Sequence, residues 1–217
     1  MSKQPPTTAD ILRELRTRIG RHEIPPGSKL REQQLAQEFR VTRPKIREVL
    51  GALEQRGLVE RIPNQGAVVR RLDLSQVFEI YDVREVLEGL CARLAAERAP
   101  KGFWEADRKR FGAPMDKLIR TGNLETYVTE LEGLRQRIIQ MAGNPVLSDL
   151  LDAIHDRTQV IIRRIIILPG RAEQGLQEHR AVLAALAKRD GEAAERLRRA
   201  NIRSAREYLR RFQSFVL

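Results

Sequence analysis

Val41-Thr42-Arg43-Pro44-Lys45-Ile46-Arg47-Glu48-Val49-Leu50 is the stretch on which the fold of this chain turns. Ile46, Val49, Leu50 and then Leu53 recur at spacings of three and four, one apolar stripe of a helix over about 43–56. Thr42 is a good N-cap residue, and Pro44 falls in the first turn, where a missing N–H has no consequence. Gly57 stands where a helix commonly ends. Arg43 and Arg47, four apart, share the face opposite the apolar stripe.

Working outward, Leu35, Ala36 and Phe39 predict a second helix over 31–39, and Arg40-Val41-Thr42 leaves room only for a tight turn. Ile11, Leu12, Leu15 and Ile19 mark a helix over 8–21, ended by Ile24-Pro25-Pro26-Gly27-Ser28, because tandem prolines remove donors and impose extended backbone. Downstream, Leu58–Ile62 and Ala67–Arg70 are two short β-type runs around the turn Pro63-Asn64-Gln65-Gly66. Three helices plus a β-hairpin wing make a winged helix-turn-helix, placed at 1–71.

From residue 72 to 217 the pattern is helical, over 74–98, 103–120, 124–142, 146–168, 172–189 and 191–214, with Gly- and Pro-containing breaks between. Val160-Ile161-Ile162 with Ile165-Ile166-Ile167 is apolar on more than one face, and its context favours a buried helix over a strand. Short connections between such helices predict an all-α antiparallel bundle. The fold class is mainly α.

Of 217 residues, 32% are charged and only 5% aromatic, which favours an aliphatic helical core. No run approaches the roughly 18 apolar residues of a membrane span, and Met1–Pro6 has no apolar leader core. A lone cysteine, Cys91, excludes a disulfide framework and a thiolate cluster within one chain. The expected setting is the cytoplasm. The net charge is +11, and residues 1–71 carry +7 of it, with 15 Lys/Arg against 8 Asp/Glu. The remaining 25 against 21 give +4 on twice the length, so a nucleic-acid surface is expected at the N-terminal end.

A recognition helix enters the major groove with its N-terminal turns, which here present Arg43 and Arg47. Arginine bonds guanine O6 and N7 bidentately. Thr42 and Lys45 stand where free backbone N–H groups favour phosphate, and Gln65 and Gly66 form the wing tip. An Arg-x-x-x-Arg pair by itself describes only a solvated basic helix face. A complete helix-turn-helix with a wing gives it a purpose.

The N-terminal stretch resembles the GntR family of bacterial transcription regulators through Gly27–Glu32, Leu35-Ala36, Val41–Leu50, Leu53-Glu54, Gly57-Leu58-Val59 and Gly66-Ala67. The resemblance implies operator contacts from Thr42, Arg43, Arg47 and Gly66. Arg31 and Gln33, at the start of the second helix, complete the expected DNA surface; a family arginine falls here on Gln33. The remainder resembles the FCD ligand-binding domain of the FadR-type branch through Tyr81–Arg84, Leu87-Glu88, Ala142–Pro145 and Glu178–Val182, with Gly191 and Ala194.

Many members of that branch hold a divalent metal through one Asp and three His, with an organic acid completing the coordination. Those positions fall here on Leu131, Arg135, His179 and Asn201. Leucine cannot ligate and arginine has no lone pair to offer, so no metal cofactor is expected. Arg135 puts a guanidinium in the metal's place, suited to a carboxylate, and Arg84, His179 and Asn201 are expected to assist it in holding an organic-acid effector. Three alternatives stay open beside this one. His179 is equally a hydrogen-bonded core histidine, and Arg135 a surface arginine. His155 with Asp152 and Asp156 is a further candidate for a displaced metal site.

There is no Gly-rich phosphate loop, His-Glu-x-x-His or Gly-x-Ser-x-Gly, and Cys91 lies on an apolar face near Leu87, Leu90 and Leu94. The chain is therefore expected to be no enzyme. An enzyme acting on a carboxylic acid and a non-specific nucleic-acid binder are the rival functions. The expected partners are double-stranded DNA with a pseudo-palindromic operator, a small organic acid and a second copy of the chain, since two recognition helices must reach half-sites about one helical turn apart.

Overall fold

The computed structural model of the protein describes residues 5–71 and 73–216, leaving aside the side chains at 74, 160, 215 and 216. Met1–Gln4, the boundary residue Leu72 and Leu217 lie outside the described residues. The chain divides into two units, Met1–Asp73 with His155–Val160, and Leu74–Ile154 with Ile161–Leu217.

In the first unit, α1 (Thr8–Gly20) opens with a capping box, in which the Thr7 hydroxyl accepts from the Asp10 N–H and the Asp10 carboxylate accepts from the Thr7 N–H. Then come β1 (Lys29–Leu30), α2 (Glu32–Phe39), α3 (Arg43–Gln55), β2 (Val59–Ile62) and β3 (Gly66–Val69). Ile11, Leu15, Ile46, Val49, Leu50 and Leu53 are all buried, so the apolar stripes of α1 and α3 face one core. Arg40 takes a left-handed conformation (φ 54°) at the end of α2, which lets the chain reverse in the tight turn before α3. Thr42 occupies the N-cap of α3, but its side chain makes no capping hydrogen bond.

The wing is an antiparallel pair, with Val59 opposite Val69 and Ile62 opposite Gly66. A third strand joins it: β1 pairs with β3, giving the order β1-β3-β2. Two residues carry no periodicity, so β1 exists only because Leu30, opposite Ala67, is drawn into the core beside β3. Gly66 has φ +81° with open space where a Cβ would lie, so its backbone conformation is what requires glycine there.

The second unit contains α4 (Leu74–Arg98), α5 (Glu105–Arg110), α6 (Ala113–Arg120), α7 (Leu124–Ala142), α8 (Pro145–Ile166), α9 (Arg171–Ala187), α10 (Gly191–Arg211) and α11 (Gln213–Val216). Asn123, Asn144 and Asp190 cap α7, α8 and α10 by accepting from the backbone N–H three residues on. The isoleucine-rich run is helical to Ile166, the end of α8, with Ile161, Ile165 and Ile166 buried as expected, whereas Ile167 is the C-cap and is exposed. The helix expected over 103–120 is instead α5 and α6, broken at Phe111-Gly112. The Phe111 carbonyl at the break accepts from Arg180 of α9 at 2.7 Å, while the Phe111 ring is buried. The Gly112 carbonyl, which already accepts from the Met115 N–H, takes a second bond from Arg180 at 3.1 Å. That distant guanidinium satisfies the Phe111 carbonyl, which would otherwise oppose the break. Trp104, Phe111, Met115, Tyr127, Leu134 and Leu186 are core residues of this unit. Among the described residues, no helix is long and apolar enough to cross a membrane.

Candidate nucleic-acid interface and buried polar cluster

The N-terminal turns of α2 and α3 and the wing turn enclose a cleft of about 640 Å³, lined by Arg31, Gln33, Arg43, Arg47, Gln65 and Gly66 among others. Six of the eight residues expected at DNA thus meet on one concave surface. Thr42 is exposed at the start of α3, and the Lys45 ammonium donates to the Pro6 carbonyl at 3.3 Å. The first turn of α3 carries no acidic residue, so its N–H groups and dipole favour an anion.

Sequence reading missed two contributors to this face. Arg61 of β2 lines the cleft, its Nε donating to Glu54 at 3.0 Å. Glu32, the first residue of α2, accepts on one oxygen from Arg47 Nε at 2.8 Å and from Arg43 Nη2 at 3.4 Å. Burial of Glu32 works to raise its pKa, but the hydrogen bond and charge of Arg47, aided by Arg43, hold it below the ordinary glutamate value. Eleven and fifteen residues separate these partners, so no local pattern announces the contact.

The second unit buries a chain of charged groups. Glu88 of α4 accepts from Arg84 on one oxygen and from Arg198 Nε of α10, at 2.8 Å, on the other. Arg198 Nη1 donates to Asn201 Oδ1 at 2.9 Å and faces His179 Nε2 at 3.3 Å. The Asn201 amide donates to Glu178 at 2.7 Å, and Arg171 donates to the same oxygen at 3.0 Å. His179 Nδ1 lies 2.6 Å from the Gly175 carbonyl, which can only accept, so Nδ1 carries the proton and Nε2 is the acceptor. Burial and the neighbouring Arg198 lower the His179 pKa to about 4. Burial pushes Glu88 up, but Arg198 and Arg84 outweigh it and keep the carboxylate ionised far below its usual range.

Arg135 of α7 is buried, so it is no surface arginine. Its guanidinium donates to the Leu151 carbonyl at 3.0 Å and to Asp152 and Glu132 at 3.1 Å each. Between Arg135, Glu88, Arg198 and Cys91 lies a cavity of about 10 Å³, room for one water molecule. Three of the four residues expected at the effector, Arg84, His179 and Asn201, are therefore joined through Glu88 and Arg198, and Arg135 reaches the same cavity. The cation that touches His179 and Asn201 is Arg198, not Arg135. Seven arginines crowd α10, and only packing against α4 distinguishes Arg198 from the rest. Cys91 is a buried core thiol, its pKa pushed up to about 12 chiefly by burial.

Residues 7–69 match the gntR family of bacterial regulatory proteins, and residues 79–204 match the FCD domain. The chain belongs to the GntR family. It is similar to the uncharacterized HTH-type transcriptional regulator YdhC of Bacillus subtilis, with 29% identity over 90% of this chain and 87% of that one. It is 30% identical to the galactonate operon transcriptional repressor of Escherichia coli, over 78% of this chain and 82% of the repressor. In fold it is similar to Escherichia coli McbR/YncC, with a TM-score of 0.79 at 19% identity, covering 95% and 98% of the two chains. These relationships make this GntR-family chain a transcription regulator and not an enzyme.

The metal site implied by the FCD resemblance finds no matching donors in this GntR-family chain. Leu131 packs against the core, Arg135 and Asn201 are engaged as described, and the one imidazole, His179, has its Nε2 beside a guanidinium that repels a cation. Around His155, both carboxylates are also taken. Asp152 accepts from Arg135, and Asp156 accepts from Arg16 at 2.9 Å and Arg56 at 3.1 Å. Among the described residues, no three His, Cys, Asp or Glu side chains converge.

Proposed function

We propose that this chain is a homodimeric repressor that reads a pseudo-palindromic operator in double-stranded DNA and is released by a small organic acid, without a resident metal. The observation that carries the DNA part is the cleft that gathers Arg31, Gln33, Arg43, Arg47, Gln65 and Gly66. Arg43 and Arg47 read guanine, Thr42 and Lys45 take phosphate, and the wing tip approaches the backbone. Two half-site readers joined in one dimer bind far more tightly than either alone.

The effector part draws support from the chemistry of the buried cluster. Four buried guanidiniums, Arg84, Arg135, Arg171 and Arg198, are matched by Glu88, Glu178, Asp152 and Glu132, so a ligand carboxylate binds here by exchanging with one of those internal carboxylates. One relative is named for the galactonate operon, and galactonate is itself a carboxylate. The acid competes with Asp152 and Glu132 for Arg135, assisted by His179, Arg84 and Asn201. Because the ion pairs differ with and without ligand, the ligand shifts the conformational equilibrium that governs DNA affinity.

The test is selection of duplexes from a randomised pool by the full-length protein, followed by titration of small organic acids into the selected complex. Enrichment of a two-fold symmetric sequence, a complex mass of two chains per duplex and acid-dependent release are expected. Binding with a linear salt slope and no sequence preference would identify a non-specific binder instead.

A further inference from the structure

We propose that Glu32 is a positioning residue of the DNA-reading face, a single carboxylate that holds Arg43 and Arg47 in their reading geometry and opposes unspecific attraction of phosphate. The inference rests on the assignment of this face to DNA. Arg47 gives its Nε to Glu32 at 2.8 Å, so the contact leaves its two terminal nitrogens, the pair that bonds guanine O6 and N7, unused. Arg43 adds Nη2 to the same oxygen at 3.4 Å. The two arginine side chains are more than half exposed, at 57% and 55%, whereas that of Glu32 is 23% exposed.

The carboxylate is itself fixed, because Glu32 is the first residue of α2, where the helix dipole favours an anion. A long exposed arginine loses rotamer freedom when it binds a base, and a clamp that orders it beforehand reduces that loss on binding. The same negative charge sits in a cleft whose other ionised side chains are Arg31, Arg43, Arg47 and Arg61. It lowers the pull on any phosphate backbone while leaving base-specific contacts intact, so it raises discrimination rather than affinity.

The experiment uses the full-length protein and duplexes that the wild type selects from a randomised pool of about 30 base pairs, three helical turns. Affinities for the selected and a scrambled duplex are measured across salt for wild type, Glu32→Gln and Glu32→Ala, each with and without Arg47→Ala. Glu32→Ala is expected to reduce discrimination about tenfold or more, one good base contact's worth. Glu32→Gln retains an acceptor for Arg47 and is expected to recover part of that loss. Both variants are expected to bind the scrambled duplex more tightly, with a salt dependence steeper by about one phosphate equivalent. In the Arg47→Ala background the effect of Glu32 on discrimination should largely vanish, which a merely structural role in α2 would not produce. Should Glu32→Ala fail to fold by circular dichroism, an unchanged discrimination in Glu32→Gln overturns the proposal. Unchanged discrimination in a folded Glu32→Ala does so too, as does an equal loss with and without Arg47, which would place Glu32 on a base itself. If the wild type enriches no sequence, the DNA assignment fails and takes this proposal with it.

Discussion

Glu88 and Arg198, 110 residues apart in the chain and both buried, share a hydrogen-bonded ion pair between α4 and α10. The same carboxylate also holds Arg84. Taking one anion away therefore strands two guanidiniums. Glu88→Ala should destabilise the protein by about 3–5 kcal/mol, the usual consequence of leaving a buried charge without its partner. Urea denaturation followed by circular dichroism checks this, and a loss below about 1 kcal/mol would mean that water reaches the site.

His179 predicts how stability varies with pH. Its folded pKa is about 4 against 6.5 for the free side chain, so the unfolded chain binds its proton first as pH falls. Stability should be fully present above about pH 6.5 and decline towards pH 4, by no more than about 3 kcal/mol from this group. His179→Gln should flatten that part of the profile. An unchanged slope between pH 6.5 and 4.5 in the variant would remove His179 from the dependence.

Arg43→Ala and Arg47→Ala should each reduce discrimination between the selected operator and scrambled DNA by about tenfold to a hundredfold, with the fold retained. Each bidentate base contact is worth about 1–3 kcal/mol. Electrophoretic mobility shifts at matched salt measure the ratio, and a variant with undiminished discrimination removes that arginine from the readout.

Gln33 stands where the family commonly has an arginine, and it lines the reading cleft. Glutamine pairs with adenine N6 and N7, whereas arginine pairs with guanine. Gln33→Arg should therefore change the base preferred at one position of each half-site from adenine to guanine. Repeating the duplex selection with the variant tests this, and an identical enriched sequence would take Gln33 off the base edges.

The proposed effector site should respond to Arg135 and not to chelation. Elemental analysis of the purified protein should show no stoichiometric transition metal, and EDTA should leave its melting temperature unchanged. Arg135→Ala should weaken organic-acid binding about tenfold to a hundredfold, as loss of a charge-assisted hydrogen bond worth about 1.5–3 kcal/mol requires. Calorimetric titration with the acid that releases the selected duplex provides the measurement. About one metal per chain, or undiminished acid binding in the variant, would defeat the corresponding half.

The sequence by itself determined the elements that local chemistry specifies. The stripe Ile46, Val49, Leu50 and Leu53, the tight turn Arg40-Val41-Thr42, the wing around Gly66 and the helix breaks at Asn123, Asn144 and Asp190 all act within a few residues, and all are legible as periodicity or punctuation. The exposure of Arg43 and Arg47 followed, because a helix stripe that buries one side must expose the other. Tertiary structure alone decided the pairing of Leu30 with β3, the break between α5 and α6 at the carbonyls taken by Arg180, and the partners of each buried arginine. Arg135 and Arg198 have the same side chain, yet one closes on Asp152 and the other on Glu88, His179 and Asn201. An ion pair depends on distance in space, whereas sequence spacing fixes distance only within a few turns of one helix. Partners 17 and 110 residues away are therefore chosen by how the helices pack.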